Sequence, residues 1–265
     1  MYPRLFTIGH FTLHTYGVLM AVAFLLGLWV ASRQARRAGI DAARVADLGV
    51  YSLIAGLLGA KLMLLLVDWH YYSGHMRELW SLFQSAGVFY GGLILGVPVA
   101  LWFARRARLP LWPTLDVLAP GVAIGQAVGR LGCLAAGCCY GKPTTSAWAI
   151  TFRDPYATRT IGTPTDIPLY PTQIYESLLC LVLFLGLIWL APRKKFNGQV
   201  AVSYLIAYAV IRFGLEFLRG DVNRGFVFHG ALSTSQFIAI FVFLGALGVL
   251  PYLARRQRVK AAPAE

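Results

Sequence analysis

The sequence contains few charged residues and no evident internal repeat. Only 13% of its 265 residues are charged, whereas 58% are hydrophobic and the mean hydropathy is +0.63. Soluble domains carry roughly a quarter charged residues, so this composition excludes an ordinary soluble protein and indicates an integral membrane protein. The lack of a repeat disfavours a transporter, because many transporters are built from repeated halves.

Cysteine is also sparse, and its spacing follows neither a disulfide framework nor a zinc pattern. There are four cysteines, no C-x-x-C pair, and one adjacent pair, Cys138 and Cys139, which rarely forms a disulfide without strain. Cys180 lies within an apolar segment and is expected to be an unreactive residue of the packed interior. The sequence therefore predicts no metal site, and we expect no cofactor.

Seven apolar segments can be drawn, each close to the roughly 20 residues that a membrane-spanning helix needs. They are 14–32, 44–67, 86–104, 112–138, 171–191, 199–218 and 235–254. Residues 70–85 are amphipathic and could form a short interfacial helix or a simple aromatic belt. Residues 139–170 are rich in Pro, Thr and Gly, which predicts a small head of strands or turns.

Basic residues follow alternate apolar segments. These clusters, together with Arg44, hold 14 of the 24 Lys and Arg residues. The net charge of +13 therefore reflects membrane topology rather than a nucleic-acid partner, and the positive-inside rule puts the N-terminus outside and the C-terminus in the cytoplasm. The sequence predicts an all-α membrane protein with seven transmembrane helices and a small extramembrane head. Residues 1–258 would form a single bundle, followed by a disordered tail, 259–265.

Three cations, Lys61, Arg130 and Arg212, lie inside or at the rim of apolar segments. A charge at the bilayer centre costs at least roughly 2.5–3.5 kcal/mol, so such residues normally face a bundle interior or a wet cavity. Together they predict a membrane-embedded pocket for an anion. The commonest anion in a bilayer is a lipid phosphate.

Further polar residues accompany these cations at helical spacing. Arg212 and Glu216 are four residues apart and can pair on one helix face, with Tyr208 one turn before Arg212 and Arg219 one turn after Glu216. The alternative is an ion pair that only locks helix packing. In the fifth segment, Gln173, Tyr175 and Glu176 occupy the first turns, where Glu176 would also compensate the helix dipole.

The predicted topology puts most of these polar residues in the outer half of the membrane, which suggests one cavity opening toward the outer leaflet. Tyr16 belongs to this group or is a simple interfacial tyrosine. Gly121, Gly125, Gly129 and Gly132 recur every three or four residues, which favours close helix packing. They could instead leave room for a lipid chain, and Gly91 and Gly92 could open the third segment in the same way.

Five motifs resemble those of prolipoprotein diacylglyceryl transferases and occur in the same order. They are LHTYG, YGGLILG, GRLGC, YPTQIYE and YAVIRFGLEFLR. The resemblance covers nearly the whole chain and implies a seven-span enzyme of the bacterial inner membrane. Such an enzyme moves a diacylglyceryl group from phosphatidylglycerol to the lipobox cysteine thiol in a prolipoprotein signal peptide, leaving a thioether and glycerol phosphate.

Residue roles follow from the resemblance and from the polar pattern together. We expect catalytic roles for Arg130, Arg212, Tyr90 and Glu216. Substrate-binding roles are expected for Tyr16, Lys61, Gly91, Gly92, Cys133, Gln173, Tyr175, Glu176, Tyr208 and Arg219.

The chain departs from the family pattern at two of these positions. Tyr90 stands where the family typically has a histidine, and Cys133 stands where it has an asparagine. The alternatives are a divergent transferase that uses another lipid or acceptor, and a non-catalytic lipid-binding or transport protein.

Overall fold

The structure is a computed structural model that describes residues 3–8, 11–74, 87–221, 225–227 and 231–261. Most of the described chain is helical. In chain order the described helices are α1 (Thr15–Arg37), α2 (Ala42–Val67), α3 (Trp69–Gly74), α4 (Phe89–Arg106), α5 (Leu111–Ala136), α6 (Pro155–Ile161), α7 (Thr172–Leu190), α8 (Gln199–Glu216) and α9 (Thr234–Ala261). The described strands form antiparallel pairs: β1 (Arg4–Ile8) with β2 (Phe11–His14), β3 (Ile150–Thr151) with β4 (Pro168–Leu169), and β5 (Phe226–Val227) with β6 (Leu232–Ser233).

Within the described residues, six helices are long and apolar enough to cross a membrane: α1, α2, α5, α7 with its following 3₁₀ turn, α8 and α9. These six confirm six of the predicted spans, and the chain is a multi-pass helical membrane protein. The remaining predicted segment, 86–104, corresponds to α4, whose 18 residues include Arg105 and Arg106. The seventh span and the orientation of the termini stay predictions.

Contacts divide the chain into two compact units, residues 1–31 with 115–265 and residues 32–114. The single bundle over 1–258 stays a prediction. Helix α3 covers residues 70–74 of the predicted interfacial helix, and 75–85 lie outside the described residues. The predicted tail, 259–265, overlaps the end of α9 at 259–261, and 262–265 also lie outside the described residues.

In the unit 32–114, α2 and α4 pack through glycines. A side chain on Gly59 would collide with the backbone oxygen of Gly91, and a Cβ on Gly92 would lie 3.0 Å from the oxygen of Gly56. The Val88 amide donates a 3.0 Å hydrogen bond to the Ala60 carbonyl, which holds the start of α4 against α2. Such small residues let two helices approach closely in a membrane.

In the other unit, the glycines of α5 face α1. A Cβ on Gly121 would collide with the backbone of Gly27, and those on the next three glycines would touch neighbouring groups of α1. These contacts are Gly125 to the Ala23 oxygen at 3.3 Å, Gly129 to the Met20 sulfur at 3.4 Å, and Gly132 to the Leu19 Cβ at 3.4 Å. The close-packing interpretation of this glycine stripe is therefore confirmed.

The same unit contains a capping interaction between distant segments. Helix α8 begins after Gly198, which has φ of 95° and no side chain to cap the helix. Asp116 of α5 accepts hydrogen bonds from the Gly198 amide at 2.8 Å and the Ala201 amide at 3.0 Å. Its carboxylate also pairs with Lys194 at 2.7 Å. Asp116 thus satisfies backbone N–H groups that a helix start leaves without partners.

The segment 139–170 contains β3, β4 and helix α6 between them, so the predicted strands and turns are confirmed. The Asp154 carboxylate caps α6 by accepting a hydrogen bond from the Tyr156 amide at 2.9 Å, and Gly162 ends the helix at φ of 77°. The β1–β2 hairpin, which the sequence analysis did not predict, contacts α6. His14 hydrogen-bonds the Tyr156 hydroxyl at 2.8 Å, and the Arg4 guanidinium lies 4.8 Å from the Tyr156 ring centroid.

Candidate functional site

Three helices of the unit formed by 1–31 and 115–265 meet at a buried ion pair. Arg130, near the end of α5, pairs with Glu176, in the first turns of α7, at 2.9 Å. The Tyr208 hydroxyl of α8 donates a 3.2 Å hydrogen bond to the same Glu176 oxygen. Glu176 therefore joins α5, α7 and α8 through side chains, and it fixes one nitrogen of the Arg130 guanidinium.

A second ion pair lies one helical turn further along α8. Arg212 pairs with Glu216 at 2.8 Å, which confirms the predicted pairing four residues apart. Its other terminal nitrogen donates a 2.9 Å hydrogen bond to the Ser235 hydroxyl, in the first turn of α9. A carboxylate and a hydroxyl from two helices thus orient this guanidinium.

Both pairs expose the cation more than the carboxylate. The side chains of Arg130 and Arg212 are 20% and 14% exposed, whereas those of Glu176 and Glu216 are 4% and 3% exposed. The accessible part of each pair is therefore positively charged. A planar guanidinium held in this way suits bidentate recognition of a phosphate.

Arg219 lies just beyond α8 and pairs with Asp221 through two hydrogen bonds, at 3.0 and 2.7 Å. Burial opposes its charge, but hydrogen bonding to Asp221 and nearby negative groups outweigh burial and raise the pKa of Arg219. The backbone at this point is also fixed. Arg219 pairs with Gly141 in an isolated antiparallel bridge, and the Lys142 amide donates to the Leu218 carbonyl at 2.8 Å.

Three cysteines surround the end of α5 beside Arg130. The sulfur atoms of Cys133, Cys138 and Cys139 all lie within 4.8 Å of one another, and none forms a disulfide. One terminal nitrogen of Arg130 is 3.6 Å from the Cys139 sulfur and 4.0 Å from the Cys133 sulfur. The guanidinium therefore faces Glu176 with one nitrogen and the thiols with the other.

The thiols of this cluster differ in acidity. Hydrogen bonds from Cys133 and Cys138, together with the charges of Arg219 and Arg130, outweigh burial and lower the pKa of Cys139 well below its usual range. Hydrogen bonding to Cys133 and Cys139, together with burial, raises the pKa of Cys138. The pKa values of these two neighbouring thiols are therefore shifted in opposite directions.

Three consecutive carbonyls of the loop after α5 each accept a hydrogen bond from a buried side chain. The Thr163 hydroxyl donates to Gly137 at 3.0 Å, the Gln173 amide to Cys138 at 2.8 Å, and the Thr172 hydroxyl to Cys139 at 2.7 Å. The predicted site residue Gln173 therefore anchors the cysteine loop to the start of α7.

The sequence is similar to those of known proteins over most of its length. The family described as prolipoprotein diacylglyceryl transferase matches residues 3–252. A Clostridium perfringens (strain 13 / Type A) protein named phosphatidylglycerol–prolipoprotein diacylglyceryl transferase 2 is 35% identical over 244 residues, or 91% of this chain and 90% of its own. A Clostridium tetani (strain Massachusetts / E88) transferase of the same name without the number is 34% identical over 259 residues, or 97% and 99%. The chain belongs to the prolipoprotein diacylglyceryl transferase family.

This family membership confirms the resemblance identified in the sequence. The predicted site residues lie in both of the compact units. Lys61, Tyr90, Gly91 and Gly92 lie in the unit 32–114. The Tyr90 side chain is 51% exposed, and the two glycines contact the backbone of α2. That contact gives the glycines a packing function, and their role in substrate binding stays a prediction.

The other predicted site residues lie in the unit that carries the ion pairs. They are Tyr16, Arg130, Cys133, Gln173, Tyr175, Glu176, Tyr208, Arg212, Glu216 and Arg219. Tyr16 is the second residue of α1 and lies beside the end of α5, since a Cβ on Gly132 would lie 3.5 Å from its ring. Tyr175, on α7 next to Glu176, is half-buried.

Several members of the site were not predicted from this transferase's sequence. Ser235 and Asp221 are ordinary polar residues in the sequence, and no motif marks either as a partner of an arginine. Cys138 and Cys139 did carry a signal, because an adjacent cysteine pair follows Cys133 at a spacing of five residues. Their convergence depends on the turn after α5, which the spacing alone does not determine.

Proposed function

We propose that this chain transfers a diacylglyceryl group from phosphatidylglycerol to the lipobox cysteine thiol of prolipoproteins. The thiol loses its proton, and its sulfur bonds to the carbon of the diacylglyceryl group that carries the phosphate. The bond from that carbon to the phosphate oxygen breaks. Glycerol phosphate leaves with the bonding electrons, and a thioether remains. The observation that carries the proposal is the pair of partly exposed guanidiniums, Arg130 and Arg212, in a member of this family.

In this proposal, Arg130 and Arg212 bind the lipid phosphate and stabilise the charge that develops as glycerol phosphate leaves. Glu176 and Glu216 orient the two guanidiniums. The Tyr208 hydroxyl donates a hydrogen bond to Glu176, and the Ser235 hydroxyl accepts one from Arg212. The base that accepts the thiol proton is Tyr90 or, in its place, Glu176 or Glu216. Separate Tyr90→Phe, Glu176→Gln and Glu216→Gln variants distinguish these candidates, because loss of the base removes proton transfer from the thiol and should lower turnover the most.

We further propose a seven-span topology in the bacterial inner membrane, with the N-terminus outside and the site toward the outer leaflet. Two helices support this orientation with basic residues in their last turns, Arg36 and Arg37 on α1 and Arg105 and Arg106 on α4. Cysteine labelling of single sites near Thr15 and near Arg105, from each side of the membrane, would test the assignment. Labelling of both sites from one side would contradict it.

The function is tested by incubating the purified chain with phosphatidylglycerol and a lipobox peptide. The expected product has gained one diacylglyceryl group in mass. Arg130→Ala should lower turnover by about 10²–10³-fold, the usual loss when a group that stabilises a transition-state charge is removed. The matched control is Arg36→Ala, an exposed arginine outside the site, which should keep the wild-type rate. Full turnover in Arg130→Ala would overturn the phosphate role.

A second candidate is a transferase of the same family that uses another lipid or acceptor. The Cys133 sulfur close to Arg130 favours it, because a family asparagine is expected at that position. Tyr90 in place of the family histidine points the same way. If the site differs from the family pattern only in its base, a Tyr90→His variant should gain activity on phosphatidylglycerol and lipobox peptide. No gain in activity supports the second candidate.

A further inference from the structure

We propose that Cys133, Cys138 and Cys139 form a binding site for a soft monovalent metal cation, Cu(I), held by three thiolates. Their sulfur atoms lie within 4.8 Å of one another. All three cysteines are half-buried rather than sealed in the core. Thiolates are the ligands that Cu(I) prefers among protein side chains.

The backbone holds these thiols together without a metal. Cys133 is in the last turn of α5, and its carbonyl accepts the Gly137 amide at 2.9 Å and the Cys138 amide at 3.1 Å. Cys139 has a φ of 60°, a left-handed conformation that is rare for a residue with a side chain. In an extended chain, adjacent side chains point in opposite directions. The turn at Cys139 instead lets the adjacent thiols of Cys138 and Cys139 join the same cluster.

Buried side chains fix that turn. The hydrogen bonds from Thr163, Gln173 and Thr172 reach the carbonyls of Gly137, Cys138 and Cys139. All three donor residues are at most 3% exposed. A site whose ligands are held by a packed and hydrogen-bonded shell requires little rearrangement to bind its ion.

The number of donors favours Cu(I) over zinc. Structural zinc sites use four protein ligands, and zinc sites with three protein ligands need a water or substrate in the fourth position. Among the described residues, the cluster contains these three cysteines and no fourth histidine, cysteine or carboxylate. Three thiolates match a trigonal site for a soft cation, and binding would release to solvent the protons that the thiols carry.

The charge around the cluster agrees with this assignment. Three thiolates with one monovalent cation carry a net charge of −2. A terminal nitrogen of Arg130 lies 3.6 Å from the Cys139 sulfur. This guanidinium would repel a bare cation but stabilise an anionic thiolate complex.

Anaerobic competition with a chromophoric Cu(I) chelator tests the proposal on the reduced, purified full chain. We expect the chain to remove one Cu(I) from the chelator. Cys138→Ala and Cys139→Ala should each weaken binding by more than about 100-fold, since even the loss of a group that only supports a ligand costs about 10–100-fold. Cys180→Ala is the matched control, because Cys180 lies outside the cluster in the buried core, and it should bind as the wild type does.

X-ray absorption at the copper edge provides the second measurement and should show three sulfur neighbours. Thermal unfolding of each variant in detergent identifies any variant that does not fold. The proposal is overturned if the wild-type chain takes no Cu(I) from the chelator. It is also overturned if folded Cys139→Ala binds as tightly as Cys180→Ala, or if copper has nitrogen or only two sulfur neighbours.

Discussion

The two ends of helix α5 each take part in a buried ion pair, and the two pairs are built differently. Asp116 lies near the start of α5, and Arg130, the partner of Glu176, lies 14 residues later, about 21 Å along the helix axis. The side chains of both carboxylates are almost fully buried, with 2% exposed for Asp116 and 4% for Glu176. Burial alone therefore does not distinguish the two carboxylates.

What distinguishes them is the kind of group that each one binds. Asp116 accepts from two backbone amides, at Gly198 and Ala201, and from Lys194. Glu176 accepts from the side chains of Arg130 and Tyr208. A carboxylate bound to backbone amides fixes where a helix begins. A carboxylate bound to side chains fixes the orientation of a cation that can bind another anion.

The largest effect is expected at Asp116, and it is an effect on stability. Asp116→Asn removes the charge that pairs with Lys194 and replaces an acceptor oxygen with an NH₂ group facing backbone amides. Breaking a buried pair in this way costs about 3–5 kcal/mol of unfolding free energy. The measurement is thermal or denaturant unfolding in detergent, with turnover per folded molecule expected to stay near wild type.

Asp41 provides a matched control for this prediction. It caps α2 by accepting hydrogen bonds from Ala43 at 3.0 Å and Arg44 at 3.2 Å, but its side chain is 48% exposed. Asparagine is about as good an N-cap as aspartate, so Asp41→Asn should change stability by only a few tenths of a kcal/mol. Equal losses of unfolding free energy in the two variants would show that the burial of Asp116 among backbone amides does not add to stability.

The next largest effect is expected at Glu176, and it should appear mainly in turnover. Glu176→Gln keeps an oxygen that can accept from Tyr208 but removes the charge that holds Arg130. A small displacement of a positioned group can cost about 10²-fold in rate. The cost in stability should be smaller than for Asp116→Asn, about 1–3 kcal/mol. Turnover on phosphatidylglycerol and lipobox peptide is the measurement.

Exchanged effects in the two variants would contradict the roles assigned to Asp116 and Glu176. A Glu176→Gln protein that unfolds as easily as Asp116→Asn and keeps full turnover would make Glu176 a packing residue. Its control is the double variant with Arg130→Ala. If Glu176 acts by orienting Arg130, adding Glu176→Gln to Arg130→Ala should lower turnover little further, because residues that act as a unit are not additive.

The helices were predictable because the relevant information is local. Long apolar runs predicted membrane spans at 44–67 and 199–218, and the observed helices are Ala42–Val67 and Gln199–Glu216. The Arg212–Glu216 pair was predicted for the same reason, since four residues on a helix bring two side chains to one face. The glycine contacts of α5 also follow from helical spacing.

The rest of the site depends on contacts between distant segments. Arg130 and Glu176 belong to different helices, and no periodicity in the chain predicts that they meet. The same holds for Asp116 and the start of α8. The convergence of the cysteines depends on a left-handed backbone conformation at Cys139, which is more usual for glycine or asparagine, so the residue type at this position does not predict the turn. Short strands such as Phe226–Val227 are likewise set by their partners rather than by their own pattern.

The smallest effect is expected at Tyr208, and Tyr204 supplies its matched control. The two rings stack on α8 with centroids 5.8 Å apart. The Tyr208 hydroxyl donates to Glu176 at 3.2 Å, whereas the Tyr204 hydroxyl donates to Gln126 at 3.0 Å. Phenylalanine at either position keeps the stacked ring and loses one hydrogen bond, so each variant should lose about 0.5–1.5 kcal/mol of stability.

Turnover should separate these two tyrosines even though stability does not. Tyr208→Phe removes a donor from the carboxylate that orients Arg130, and a loss of about 1 kcal/mol in that orientation corresponds to roughly a fivefold lower rate. Among the described residues, the Tyr204 hydroxyl donates to Gln126 rather than to Arg130 or Glu176, so the rate of Tyr204→Phe should stay near wild type. Equal losses of turnover would mean that the rate follows the general stability of α8. Glu176 would then have to be regarded, like Asp116, as a residue that serves the fold.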